Sequence, residues 1–127
     1  MIVPAPIGIA TVLSVLSLTD VTGYTAQDDS IEMRTVVGCL ARAGESWTLE
    51  QATAAEPTER AFTSREELDT SKLQELGVLI YRLLGIAEFG VAELEGHKVQ
   101  VKGLRISNAN DLRLNVTSFQ HLDPLCQ

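Results

Sequence analysis

Four residues carry most of the reactive chemistry in this chain: Cys39, His97, His121 and Cys126, its only cysteines and histidines. Together they supply the sulfur and nitrogen atoms that zinc prefers. No two of them, however, have the close spacing of a structural site such as C-x-x-C. Cys39 lies in Thr35-Val36-Val37-Gly38-Cys39-Leu40. Neither a base nor a helix N-terminus stands nearby in sequence to turn it into a reactive thiolate. The simplest reading is a disulfide between Cys39 and Cys126, because two cysteines in an exported chain with no others normally pair. That bridge closes a loop of about 90 residues, which chain entropy rewards with roughly 4–5 kcal/mol. The zinc set and the reactive thiol stay open as alternatives.

A second group has the chemistry of recognition. Trp47 is the one tryptophan, and Tyr81 with Arg82 follows in a later segment. Trp and Tyr stack on sugars and bases, so Trp47, Tyr81 and Arg82 form the candidate ligand face. Trp47 serves equally well as a core residue. His97 shares parity with Val99 and Val101, which points it inward at the rim of a strand. There it would hydrogen-bond a ligand or a neighbouring carbonyl.

Known catalytic signatures are missing. The chain has no G-x-G-x-x-G, no Walker loop, no H-E-x-x-H and no G-x-S-x-G. Asp28-Asp29 and Asn108-Ala109-Asn110-Asp111 lack the spacing of a calcium loop. Glu66-Glu67 fits the first turn of a helix better than a catalytic pair. The expectation is therefore a non-catalytic protein with no cofactor and no metal.

These residues need elements to hold them. Residues 35 to 40 are β-branched and alternating, and Gly38 marks a bend. Ala43-Gly44-Glu45-Ser46 is a turn into a partner strand over Trp47-Thr48-Leu49-Glu50. Residues 52–77 are an Ala-, Thr- and Glu-rich insertion, a short helix or a loop with a solvated face. Ser64 to Glu67 there has the form of a capping box, and Gly77 that of a helix C-cap. Val78 to Leu84 is nearly all apolar, as in a strand buried on both sides. A short helix from Ile86 to Leu94 follows, closed by Gly96. In Gly96-His97-Lys98-Val99-Gln100-Val101-Lys102-Gly103 the valines face one way and Lys98, Gln100 and Lys102 the other. The parity then flips to Leu104 and Ile106, which places a bulge at Gly103. A turn at residues 107–111 leads to a last alternating strand over Leu112, Leu114 and Val116, ending near His121 and stopped by Asp123-Pro124.

The order is three strands, a short helix and two strands. That predicts a mainly β fold, a five-stranded OB-like barrel with the helix between strands three and four. Ile7 to Leu18 is a charge-free apolar run, too short to span a membrane. It reads as the signal-like helix of an export signal over residues 1–26, although no Lys or Arg precedes it. Residues 27–33 would be a polar lead-in and 34–127 the barrel domain. A formal charge of −7 disfavours nucleic acid, which needs cations for its phosphates, and anionic lipid surfaces.

The segments Val36-Val37-Gly38-Cys39-Leu40, Tyr81-Arg82-Leu83-Leu84-Gly85, 96–103 and Leu114 to Leu122 before a terminal Cys resemble small secreted bacterial proteins of unknown function with an OB-like barrel. The resemblance covers roughly residues 34–127, the span of one small domain, and does not extend to 52–77. It implies a fold and a periplasmic or secreted location, and no catalytic residues. A looser similarity, at the level of fold alone, is to periplasmic OB-fold proteins linked to envelope stress. Three functions compete. The first is a binding module for a small ligand or an envelope protein. The second is a structural or stress-related envelope protein. The third is a metal- or thiol-dependent enzyme using Cys39, His97, His121 and Cys126.

Overall fold

The computed structural model describes residues 32–108 and 111–127, together with Val3, Pro4 and Gly8. Apart from those three, the residues of the expected export signal lie outside the described residues.

Strand β1 (Met33–Ala43) turns at Gly44 and Glu45 into β2 (Ser46–Ala52). A two-residue strand, β3 (Glu56–Pro57), pairs with the start of β1. Helix α1 (Arg65–Leu73) follows, then β4 (Leu79–Leu84), two short 3-10 turns (Ile86–Phe89 and Ala92–Leu94), β5 (Lys98–Asn108) and β6 (Asp111–Asp123). The sheet order is β2-β4-β6-β5-β1-β3, and a further β2–β1 pairing closes five of the strands into a ring. All pairings are antiparallel except β4 with β6.

The core fills the inside of the ring. Val36 and Leu40 from β1, Trp47 and Leu49 from β2, and Tyr81 and Leu83 from β4 meet Val99, Val101, Leu114 and Val116 there. Gly38 lies between Val36 and Leu40 on the same inward face. A Cβ at that position would come within 2.7 Å of Leu49 Cγ and 2.8 Å of the Glu50 carbonyl. The bend foreseen at Gly38 is thus a close approach of β1 to β2 that no side chain permits.

Two expectations change. β4 is buried on one face only: Tyr81 and Leu83 point inward, while Ile80 is 57% exposed and Arg82 faces solvent. Its apolar run conceals an alternating strand. The predicted helix over 86–94 is two 3-10 turns, interrupted at Gly90 and Val91. Too few residues separate the glycines there to close α-helical hydrogen bonds. The bulge foreseen at Gly103 is present as a register shift between Lys102 and Gly103, and its extra residue, Thr117, is on β6.

The segment 52–77 departs furthest from a solvated insertion. Ser64 caps α1, accepting a hydrogen bond from the Glu67 N–H at 3.1 Å. The helix ends at Gln74, short of Gly77, which packs instead against the Ala52 carbonyl. Replacing Ser64 with Ala removes one satisfied N–H and lowers stability by about 1 kcal/mol, measurable by chemical denaturation.

Below α1 lies the outer face of β1 and β5, where register sets Thr35 beside Lys102, Val37 beside Gln100 and Cys39 beside Lys98. Lys98, Gln100 and Lys102, on the face of β5 opposite the valines, are all buried. Lys102 Nζ donates to the carbonyls of Arg60 and Phe62 and pairs with Glu67 at 2.8 Å. Gln100 Nε2 donates to Ser71 Oγ and Gln100 Oε1 accepts from Thr63 Oγ1. Lys98 Nζ donates to the carbonyls of Lys72, Gln74 and Gln127. Buried polar groups are costly unless bonded. These three are bonded to main-chain and side-chain groups of the 58–77 segment and of the chain end. The segment is fastened along the outer face of the first half of β5, from Lys98 to Lys102.

Candidate functional site

Cys39 and Cys126 form a disulfide with a Cα–Cα distance of 5.7 Å, inside the range that such bridges span. The cysteine of β1 faces outward and reaches the tail beyond β6, so the bridge ties the chain end to the ring. Neither sulfur remains as a thiol or thiolate. The four-residue zinc set and the reactive thiol both needed a free one.

The candidate ligand face is brought together only in part. Trp47 and Arg82 line one shallow cleft of ≈ 230 Å³ with Glu45, Ser46 and the Leu84–Ala87 stretch. Trp47 is 8% exposed, with its ring mostly in the core, and the Arg42 guanidinium lies 5.3 Å from its centroid. Tyr81 is 2% exposed and opposite Leu49, so its ring packs inside and presents no stacking surface. His97 is elsewhere. Its Nδ1 stands 2.9 Å from His121 Nε2, with the ring centroids 5.0 Å apart.

A larger cleft, of ≈ 290 Å³, opens between α1 and the outer face of β1. β1 contributes Thr35 and Val37, the 53–58 stretch contributes Thr53, Glu56 and Thr58, and α1 contributes Glu67, Thr70 and Ser71. Gln100 forms part of its floor. Thr53 Oγ1 accepts from the Val37 N–H at 3.1 Å, which holds the 53–58 stretch against β1. Glu67 is engaged with Lys102. Thr35 Oγ1 is buried and has no hydrogen-bond partner among the described residues. A buried hydroxyl without a partner carries an unmet desolvation cost. The wall also carries Thr70 and the Gln74 amide, and no lysine or arginine belongs to the described lining. The arrangement suits a compact ligand that hydrogen-bonds through hydroxyl or ammonium groups, and repels an anion.

Sequence reasoning missed this cleft because it depends on where 52–77 folds. The available signal was the density of Thr and Ser on both sides of it, which reads equally well as a loop composition.

Compared with family models, curated proteins and solved structures, the chain finds no match in any of the three.

Proposed function

We propose that this chain is a small exported binding module, non-catalytic and built on an OB-like barrel, which holds a compact polar ligand beneath α1. The barrel reading is supported by the ring order β1-β2-β4-β6-β5-β1, with one parallel pair and a short helical segment between β4 and β5. Export is supported by the disulfide, since such bridges persist in oxidising compartments.

The observation that carries the binding reading is the cleft itself. It combines a volume near the lower end of ligand sites with an unpartnered buried hydroxyl at Thr35. Its lining favours a neutral polyol, a sugar or a small organic cation. A second reading places the ligand in the Trp47–Arg82 cleft, which belongs to the strand pair where OB-folds commonly bind.

A thermal-shift panel of monosaccharides, polyols and cationic amino acids tests both. A ligand that raises Tm for the wild type and for Arg82→Ala, but not for Thr70→Leu, supports the α1 cleft. Thr70 is exposed on α1, so leucine there narrows the cleft without disturbing the core. The reverse pattern moves the site to the Trp47–Arg82 cleft. A panel with no response sinks the binding reading and favours a structural envelope role.

A further inference from the structure

The His97–His121 pair plays no part in the proposed cleft. The two residues lie 24 positions apart in sequence, and the strands bring their rings together. His121 pairs with Val99 across β5 and β6, and His97 immediately precedes β5. The position of His97 is fixed by its backbone: its carbonyl accepts from the Leu40 N–H and its N–H donates to the Leu94 carbonyl. His121 is exposed. Two imidazoles are thus held side by side at the surface by a rigid sheet, with nitrogen atoms 2.9 Å apart.

We propose that His97 Nδ1 and His121 Nε2 form a bidentate site for a divalent transition-metal ion, with Cu(II) preferred. The 2.9 Å spacing is that of a hydrogen bond between the two rings. What argues for the ion is the pairing itself: two ring nitrogens at the surface near enough to reach one metal, with bonds of about 2.0 Å, once the rings turn. Among divalent ions imidazole binds Cu(II) most tightly. In the metal-free pair one ring donates its N–H to the other. Binding moves that proton to the far nitrogen of its own ring, and both rings swing so that their lone pairs converge on the ion. The exposure of His121 leaves it room to do so, and leaves the remaining coordination positions to water. Among the described residues no third histidine, cysteine or carboxylate completes a protein cage. The site is therefore open, and chelators remove its ion readily.

The test uses the full-length untagged chain, titrated with Cu(II) and followed by calorimetry and electron paramagnetic resonance. The expected result is one ion per chain with nitrogen hyperfine structure from two imidazoles. His121→Gln and His97→Gln each weaken binding about tenfold or more, as loss of one tooth of a chelate should. Unfolding curves in chelator separate loss of the site from loss of the fold, and His121→Gln, at an exposed position, keeps the wild-type midpoint. Copper bound equally well by both variants places the ion elsewhere and overturns the proposal. So does a wild-type chain that binds no copper.

Discussion

Replacing Cys39 and Cys126 together with serine lowers the unfolding free energy by roughly 4–5 kcal/mol, the chain-entropy value for a loop of this length. The bridge joins residues 87 apart and returns the chain end to the first strand of the ring. Small domains have only about 5–15 kcal/mol of stability in total, so the double variant is expected close to its threshold. Cys39 is also buried, so a serine hydroxyl there loses its water and adds a desolvation cost unless it finds a partner. The measurement is urea unfolding followed by Trp47 fluorescence, with wild type before and after reduction beside the double variant. Reduction and substitution are expected to lower the midpoint together. A loss below about 1 kcal/mol, read from midpoint and slope, means that the ring holds its seam without the bridge.

Lys102→Met is expected to cost about 2–4 kcal/mol, since each buried acceptor left without its donor costs about 1–3 kcal/mol while the half-exposed Glu67 carboxylate is taken up by water. The ammonium is fully buried and satisfies the carbonyls of Arg60 and Phe62 as well as the Glu67 carboxylate. Methionine fills similar volume, so the loss comes from buried acceptors left without their donor and not from a cavity. Because those acceptors all belong to the segment over β5, the damage is local first. Hydrogen exchange should accelerate in residues 58–73 before it does in β5 or β6. Equal acceleration across the ring would mean that the segment and the ring unfold as one unit.

The same lysine explains how far the sequence could be read. Alternation in 98–102 correctly separates Val99 and Val101 from Lys98, Gln100 and Lys102, since the side-chain period of a strand is two. Alternation cannot tell an outer face in water from an outer face under another segment. The long aliphatic stems of Lys98 and Lys102 pass through buried surface and end on carbonyls, a use of lysine with no local signature. The five long strands and the Cys39–Cys126 pairing were legible because they follow from local pattern and from counting, whereas the two-residue β3 inside 52–77 was not. Ile80 misled because Leu, Ile and Tyr together read as a doubly buried strand, although β4 has one outward face. The His97–His121 pair was legible only as two separate residues. Its 2.9 Å spacing depends on the β5–β6 register and on the start of β5. The α1 cleft depended on the least regular stretch of the chain, where apolar spacing is weakest.

The most direct test of the binding account is a ¹H–¹⁵N spectrum of the chain, titrated with the ligand that gives the largest thermal shift. The account predicts that perturbed amides cluster at Thr35, Val37, Thr53, Thr70, Ser71 and Gln100, the residues that surround the cleft. Perturbation confined to Trp47, Arg82 and Gly85, with the α1 residues unmoved, would contradict it.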